Sequence, residues 1–225
     1  LYAAVQEAMT LIVTAAADLR SDTGATGVVT LSVTPSFGAR WLLPRLPRFT
    51  CLHPALRVAP VADNRVVDLD AEGFDFAVRY TAGRVEGLEA VRLMEEELSV
   101  VGSPALLQNL DLTLEALATL PLLHDTSDAG WRRWLGAMGR PDLLPSEGIV
   151  FNDYNLAIEA AVAGLGLIIG RSMLIAEELR SGRLVEPFAF QVPSASAYYL
   201  VRRPGPLRPA AQALWDWLLQ IGRAP

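Results

Sequence analysis

From residue 28 onward, short apolar runs alternate with stretches in which apolar residues recur at helical spacing. The predicted strands of the first part are residues 28–33, 56–62 and 74–80, which are rich in β-branched or other apolar residues. A helix is predicted from Phe37 to His53-Pro54, with Pro44 and Pro47 expected to kink or shorten it, and a short helix around 66–71. This strand–helix alternation indicates a parallel α/β sheet.

The second part has the same character and predicts a second lobe that begins near Ser99. Its expected strands are residues 122–124, 149–151, 165–169 and, late in the chain, 198–201. Expected helices are 114–119, one carrying the core residues Trp131 and Trp134, one capped by Asn152-Asp153 and ending near Ala163, 172–179 and 207–221.

The first twenty residues permit two interpretations. Apolar residues at alternating steps of three and four form an a/d seam, typical of a helix that packs against a partner helix. The residues of this seam are Tyr2, Val5, Met9, Ile12, Ala16 and Leu19. A secretory signal is the alternative, with residues 11–17 as its apolar core, but no basic region precedes them and Glu7 interrupts. We favour the helix, followed by a connector at 21–27.

Composition narrows the chemistry. All 19 cationic residues are arginine, so Schiff-base, pyridoxal phosphate and P-loop lysine chemistry are excluded for this segment. A formal net charge of −6 argues against a broad DNA-contacting surface. The single cysteine, Cys51, expected as a buried small residue, fits a reducing cytoplasm. Two histidines without a Cys/His cluster argue against a metal site.

The candidate catalytic motifs fail on order or spacing. Gly164-Leu165-Gly166 leaves a helix and opens a strand, the reverse of a dinucleotide loop, so a helix C-cap is the better interpretation. Gly170-Arg171-Ser172 lacks the last glycine of a nucleophile elbow. His124-Asp125 has no ordered nucleophile, and the acidic run Glu95-Glu96-Glu97 is expected in a solvated loop. No catalytic residue and no cofactor are predicted.

Two strand-to-helix junctions are the better candidates for binding. Thr34-Pro35-Ser36-Phe37 lies in the first lobe and Phe151-Asn152-Asp153 in the second, where free backbone N–H groups attract anions. Ligands of open α/β sheets collect beyond the carboxyl ends of strands. The sequence therefore predicts a two-lobed α/β protein that binds a small molecule in a cleft between its lobes.

Seven segments resemble the effector-binding domain of LysR-type transcriptional regulators, most of all the branch of glycine-cleavage activators and β-lactamase regulators. They run in family order over nearly the whole chain. The segments are VVTLSVTPSFGARWLLPRL (28–46), HPALRV (53–58), DNRVVDLDAEGFDFAVRY (63–80), LSVVGSPALL (98–107), AVAGLGLIIG (161–170), GRLVEPF (182–188) and AYYLV (197–201).

This resemblance implies a type II periplasmic-binding-protein-like fold with crossover strands. Lobe I would comprise residues 28–98 and 199–225, and lobe II residues 99–198. Residues 1–20 would end the linker helix of a dimer or tetramer, and a winged helix-turn-helix preceding residue 1 would supply DNA binding. A cytoplasmic protein without a membrane segment is expected.

The helix N-termini favour an effector that is anionic or amino-acid-like, and an apolar or cell-wall-derived ligand is the alternative. The resemblance implies the residues that line the effector cleft. They are Thr34, Ser36, Phe37, Asp63, Asn64, Tyr80, His124, Phe151, Asn152 and Tyr198. The chain departs from the family pattern at Pro47, a second proline in the first helix, and at Gly170, where many relatives have proline.

Two other classes stay open at this point. A free-standing solute-binding protein would share the fold, and the sequence upstream discriminates, because transport requires a signal peptide and regulation a helix-turn-helix. An enzyme on the same fold is disfavoured by the lack of lysine and of an ordered nucleophile–base pair.

Overall fold

The computed structural model describes residues 27–108, 113–144 and 148–223. These residues divide into two compact units. The first unit contains the described residues up to Thr34, then Leu42–Met94, and the described residues from Ser196 onward. The second contains Pro35–Trp41 and the described residues of Glu95–Ala195. The predicted lobe boundaries at 98/99 and 198/199 stay predictions.

The first unit is built on a five-stranded sheet of order β2-β1-β3-β10-β4. Its strands are β1 (Gly27–Val33), β2 (Leu56–Ala62), β3 (Phe76–Thr81), β4 (Glu89–Met94) and β10 (Ala197–Arg202). The first three are parallel, as the strand–helix alternation predicts, with Val33 paired to both Ala62 and Val78. Strand β10 runs antiparallel between β3 and β4, so the sheet is mixed.

One long helical segment follows β1 and changes its geometry twice. It consists of α1 (Pro35–Phe37), a π-helical turn (Gly38–Leu42) and α2 (Leu43–Leu52). Pro44 directly follows the π-helical turn, in the first turn of α2, and Pro47 lies inside the helix. The segment ends before His53-Pro54, as predicted, so the prolines do not shorten it.

Helix α7 (Pro209–Gly222) closes the first unit through aromatic contacts and one ion pair. Trp215 packs edge-on against Phe76 with ring centroids 5.4 Å apart, and Trp217 lies 5.2 Å from Phe49. Burying an aromatic side chain of this kind stabilises a fold by roughly 1.5–3 kcal/mol. In the ion pair, Asp75 accepts from Arg208 Nη2 at 2.7 Å, and it also accepts from the N–H of Thr30, which holds the start of α7 to β1.

The second unit has its own five-stranded sheet, of order β7-β6-β8-β5-β9. Its strands are β5 (Glu97–Val101), β6 (Leu122–His124), β7 (Ile149–Val150), β8 (Leu167–Arg171) and β9 (Val192–Pro193). Strand β6 is parallel to β7 and β8, whereas β5 is antiparallel to β8 and β9. Its helices are α3 (Pro104–Leu107), α4 (Ala129–Ala137), α5 (Tyr154–Val162) and α6 (Ser172–Arg180).

The core of the second unit contains the two tryptophans that the sequence pattern predicts as core residues. Trp131 and Trp134 of α4 are 2% and 0% exposed, which confirms their assignment to the core. Gly164 has a positive φ of 80° after α5, the conformation that a helix C-cap glycine adopts. The glycine-rich stretch therefore ends a helix, as expected, and no phosphate loop is formed there.

Several expectations from the sequence are wrong. Residues 66–71 form turns in place of a helix, because Asp68 Oδ1 accepts hydrogen bonds from the backbone N–H groups of Asp70 and Ala71 at 3.0 and 3.1 Å. Residues 114–119 contain a 3-10 turn (Glu115–Ala118) in place of the expected helix, and strand β4 was not predicted. Cys51 is exposed, because it lies on the outer face of α2.

The predicted helix seam at Tyr2, Val5, Met9, Ile12, Ala16 and Leu19 lies outside the described residues. Among the residues that are described, no helix is long and apolar enough to cross a membrane.

Candidate functional site

At the carboxyl end of β1, Thr34 places a buried hydroxyl. Its Oγ1 atom has no hydrogen-bond partner among the described residues. A buried hydroxyl without a partner costs about 1–3 kcal/mol, which a polar ligand group offsets when it supplies the bond. Thr34 is therefore the residue of this strand end with the clearest capacity for a ligand.

The turn after β2 carries the predicted residues Asp63 and Asn64, and Arg65 holds it. The N–H of Asp63 donates to Val33 O at 2.9 Å, and its carboxylate accepts from the backbone N–H and Nε of Arg65, both at 2.8 Å. These hydrogen bonds from Arg65 hold the pKa of Asp63 below its usual range. Asp63 is thus ionised and already engaged by the protein.

Arg79 supports the same turn from the sheet. Its Nη2 donates to Ser32 Oγ at 2.6 Å and to Arg65 O at 3.2 Å, and its Nη1 donates to Val78 O at 2.9 Å. Desolvation by burial lowers the pKa of this guanidinium, which nevertheless stays charged because arginine titrates far above neutral pH. Sequence reasoning missed Arg79, since nothing in its local pattern marks it.

Tyr80 and Tyr198 are brought together in the first unit. They are direct cross-strand partners of β3 and β10, with ring centroids 5.0 Å apart. Tyr198 is fully buried, and the pairing of β10 with β4 shifts register between Tyr198 and Tyr199. Tyr198 therefore serves the core of this unit at least as much as a binding surface.

Ser36 and Phe37 follow Thr34 in sequence but belong to the second unit. Both are buried, at 4% and 0% exposure, and the Phe37 ring stacks on that of Trp41 at 5.0 Å. This burial fixes the segment that the sequence predicted to contact a ligand.

In the second unit, the predicted residues His124, Phe151 and Asn152 lie at the carboxyl ends of β6 and β7. His124 ends β6 and is 7% exposed, and its O accepts a hydrogen bond from the N–H of Phe151 at 2.9 Å. Phe151 is half-buried and Asn152 exposed. A pocket of about 730 Å³ opens beside them, lined by His124, Asp125, Thr126, Ser127, Asp128, Arg132, Pro141, Leu144, Gly148 and Val150.

The end of β8 adds a charged pair that sequence reasoning missed. Arg171 Nη2 and the carboxylate of Asp125 form an ion pair, with the side chains 16% and 25% exposed. The guanidinium also lies over the Tyr154 ring at 4.2 Å. The sequence pattern could have indicated this pair in one way. Asp125 follows β6 and Arg171 ends β8, and ligands of such sheets bind at the carboxyl ends of neighbouring parallel strands.

Glu96 corrects the expectation of a solvated acidic loop. It is only 3% exposed, and its Oε1 accepts from Ser172 Oγ at 2.6 Å and from the N–H of Met173 at 2.9 Å. These contacts cap the first turn of α6 with a carboxylate, a favourable position relative to the helix dipole. Burial raises the pKa of the Glu96 carboxyl, because desolvation penalises its charged form.

Within the described ranges, no group of three His, Cys, Asp or Glu residues is placed to hold a metal ion. Charged and hydroxyl-bearing side chains lie at the carboxyl ends of strands in each unit.

A family model for the LysR substrate binding domain matches residues 22–223. The chain belongs to this family. The match covers both units and confirms the resemblance that the seven sequence segments carry.

Curated relatives of this LysR substrate-binding domain are transcriptional regulators. The AhcY transcriptional activator HvrB of Rhodobacter capsulatus is 35% identical over 218 residues, 96% of this chain and 73% of that protein. The glycine cleavage system transcriptional activator of Escherichia coli K12 is 35% identical over 179 residues, 79% of this chain and 59% of that protein. The chain thus spans only part of the length of these relatives.

Solved structures support the same fold for this LysR domain. The effector domain of the transcriptional regulator AmpR of Pseudomonas aeruginosa superposes with a TM-score of 0.79 at 32% identity, covering 87% of this chain and 95% of that one. The AmpR effector-binding domain of Citrobacter freundii gives the same TM-score at 27% identity, with 87% and 98% coverage. The type II periplasmic-binding-like fold expected from the sequence is confirmed.

Proposed function

We propose that the chain is the effector-sensing domain of a LysR-type transcriptional regulator, and that it senses a small metabolite without converting it. The family match over residues 22–223, with relatives that are transcriptional activators, carries this proposal. It favours regulation over transport, the alternative that the fold by itself leaves open.

We infer that the effector is amino-acid-like. In the second unit, Arg171 and Asp125 offer a guanidinium and a carboxylate side by side at adjacent strand ends, both partly accessible. An arginine fork binds a ligand carboxylate, and an aspartate binds a ligand ammonium group. A ligand carrying both groups satisfies both side chains, whereas a simple anion satisfies only Arg171 and leaves Asp125 uncompensated.

The predicted residues of the first unit are assigned to the same effector. Thr34 contributes a buried hydroxyl that has no protein partner among the described residues. Asp63, Asn64, Tyr80 and Tyr198 stay predictions, as do Ser36, Phe37, His124, Phe151 and Asn152 in the second unit. That the carboxyl ends of both sheets share one cleft is likewise a prediction.

DNA binding is assigned to a part of the whole protein outside this chain. The curated relatives extend beyond the matched region, and the net charge of −6 is unfavourable for contacting phosphates. Such a regulator would act in the cytoplasm, where the DNA is, and as a dimer or tetramer through the seam at residues 2–19.

Replacing both Val5 and Ile12 with aspartate tests this seam. The double variant should have a lower mass than the wild-type oligomer in light-scattering measurements, and an unchanged mass would show that the seam does not form the interface.

Ligand-dependent thermal unfolding tests the proposal. The purified chain is heated with each free amino acid, and with analogues that lack either the carboxylate or the ammonium group. A ligand present at about 100 times its Kd stabilises a protein by about 2.7 kcal/mol, so one or more amino acids should raise Tm and their truncated analogues should not. Equal shifts with the carboxylic acid analogue would overturn the amino-acid class.

Two arginine variants locate the binding. Arg171→Gln should abolish the ligand-dependent shift, because it removes the group assigned to the ligand carboxylate. Arg132→Gln is the matched control: this arginine lines the pocket together with Asp125, but it is exposed and paired with Asp128 at 2.7 Å. A shift that survives in Arg171→Gln would contradict the assignment. Formation of a product from any bound ligand would contradict the sensing role and support an enzyme.

A further inference from the structure

Arg40 makes three charge-assisted contacts within the second unit. Its Nε donates to Asn155 Oδ1 at 2.9 Å, its Nη2 to Glu159 Oε1 at 2.8 Å, and its Nη1 pairs with Glu178 Oε1. The first two acceptors are on α5 and the third is on α6. The side chains of Arg40 and Glu178 are 14% and 4% exposed, so solvent screens this pair weakly, whereas Glu159 is 52% exposed and its contact is screened more. A single side chain thus joins the π-helical turn to two other helices.

The carboxylates that hold Arg40 are shared with a second arginine. Arg183 Nη2 lies 2.8 Å from Glu159 Oε2, and its Nη1 lies 3.7 Å from Glu178 Oε1. Glu178 is 3% exposed, and its Oε2 has no hydrogen-bond partner among the described residues. Two arginines and two glutamates therefore balance in charge. Of the two arginines, Arg40 is the one that belongs to the segment following β1.

Arg40 holds the segment Pro35–Trp41, which carries two of the predicted binding residues. Ser36 and Phe37 lie four and three residues before Arg40, in the stretch Pro35–Trp41 that belongs to the second unit. Asn155 lies in the first turn of α5, where the Asp153 carboxylate accepts a hydrogen bond from its N–H at 2.7 Å. Asn152 immediately precedes this cap. The contact between Arg40 and Asn155 therefore ties one predicted binding segment to another.

We propose that Arg40 is a positioning residue that fastens Pro35–Trp41, with Ser36 and Phe37, to the start of α5 and to α6. This inference rests on the proposed effector-sensing function. Arg40 does not contact the effector, because each nitrogen of its guanidinium already has a protein acceptor. It acts by fixing where Ser36 and Phe37 lie relative to Asn152.

The shape of the guanidinium is what distinguishes this role from simple charge compensation. Three acceptors on two helices match the planar fork of arginine, whereas a lysine ammonium is a point charge at the end of a flexible chain. Arg40→Lys keeps a cation next to the buried Glu178 and removes the fork. A residue that merely neutralises Glu178 would tolerate this change, and a residue that positions the segment would not.

Hydrogen exchange of the purified chain, without any ligand, tests the fastening. Arg40→Lys should speed up exchange of the amides of residues 36–41 by about tenfold, with α2 and α7 unchanged, because the segment opens locally. Arg183→Lys is the matched control, since it changes the other cation on the same two carboxylates and should leave residues 36–41 at the wild-type rate. Wild-type exchange in Arg40→Lys, or an equal effect in Arg183→Lys, would overturn the proposal.

Thermal unfolding in the presence of free amino acids then separates the two hypotheses. For an amino acid that stabilises the wild-type chain, Arg40→Lys should raise its Kd by about tenfold while the Tm without ligand stays near the wild-type value. An unchanged Kd would remove the link to the effector. If no amino acid stabilises the wild-type chain, the effector class fails, and the exchange result still decides the fastening by Arg40.

Discussion

The guanidinium of Arg171 lies 4.2 Å from the centre of the Tyr154 ring, and the Tyr154 hydroxyl accepts a hydrogen bond from the backbone N–H of the same arginine at 2.8 Å. That hydroxyl also donates to Ile169 O at 2.7 Å. Tyr154 therefore holds both the backbone and the side chain of the arginine that we assign to the effector carboxylate, and it secures the end of β8 to the start of α5.

Tyr154→Phe should lower the free energy of unfolding by about 1–3 kcal/mol. The variant keeps the ring beneath Arg171 but leaves a buried carbonyl and a buried N–H without the hydroxyl. Urea unfolding followed by circular dichroism measures the change. Tyr199→Phe is the control, because Tyr199 is only half-buried and water can solvate the groups around its hydroxyl. Equal stability of the Tyr154 variant and wild type would show that the two hydrogen bonds contribute nothing net.

Asp75→Ala should also destabilise the fold, by about 2–3 kcal/mol. Asp75 accepts hydrogen bonds from Arg208 Nε and Nη2 at 2.5 and 2.7 Å and from the N–H of Thr30 at 2.8 Å, so it ties the start of α7 to β1. Its side chain is 12% exposed, and removing one partner of such a pair leaves a poorly solvated charge.

Asp128→Ala is the control for this ion pair. Asp128 and Arg132 are both largely exposed and four residues apart, so solvent screens them and the denaturation midpoint should hardly move. Comparable losses of stability in the two alanine variants, in the same urea titration, would show that burial does not strengthen the pair of Asp75 with Arg208.

Glu96 gives a prediction with a definite sign in pH. Burial raises the pKa of its carboxyl above the ordinary value of 4.5, so the folded state binds a proton over a range in which the unfolded chain has released it. Stability from this group is therefore full below pH 4.5 and is lost as the pH rises through the raised pKa. Glu96→Gln removes that dependence.

The variant should gain stability relative to wild type as the pH increases from about 4.5 to neutral. Urea unfolding of both proteins at a series of pH values gives the difference, in which the other titrating groups cancel. A difference that stays constant, or that moves against the glutamine variant, would show that Glu96 is not held by burial in the way described.

Gly148 leaves room for the His124 imidazole. A Cβ at this position would lie 2.5 Å from His124 Cδ2 and Nε2 and from Leu122 O. Gly148→Ala should therefore displace the ring and cost about 1–3 kcal/mol, as overpacking does. Because His124 lines the pocket, the displaced ring should also weaken the amino-acid-dependent Tm shift.

Gly136→Ala is the control variant for Gly148→Ala. It lies on the exposed face of α4 with nothing within 4 Å of the added Cβ, so the variant should gain up to about 1 kcal/mol from helix propensity. Thermal denaturation of the two variants compares them directly. Opposite signs of the Tm change are expected, and a stabilised Gly148→Ala would contradict the close contact.

Much of the fold could be predicted from local pattern. The boundaries of β2 and β6 match the predicted runs 56–62 and 122–124, because these strands are short, mostly apolar runs between turn signals. Strand β4 was missed, because its charged residues Glu89 and Arg92 break the apolar run and its pairing with β10 supplies the order. Residues 89–94 form a strand because they pair with β10, a contact that the local sequence pattern does not encode.

The site was less predictable than the fold, for a related reason. Strand ends gave the general positions of Thr34, His124 and Asn152. The pair of Arg171 with Asp125 joins residues 46 apart in sequence, and the contact of Arg40 with Glu178 joins residues 138 apart. Glu96 was misassigned because an acidic run favours solvent unless specific donors stabilise a carboxylate, here the Ser172 hydroxyl and the Met173 N–H in the first turn of α6.

The membership of Pro35–Trp41 in the second unit has a practical consequence for dissecting the molecule. An expression fragment comprising residues 95–195 alone would omit Phe37, Trp41 and Arg40. Among the described residues, Glu178 would then keep Arg183, 3.7 Å away and 46% exposed, as its cationic neighbour. Such a fragment should be poorly soluble, and a separately supplied peptide spanning residues 35–41 should rescue it.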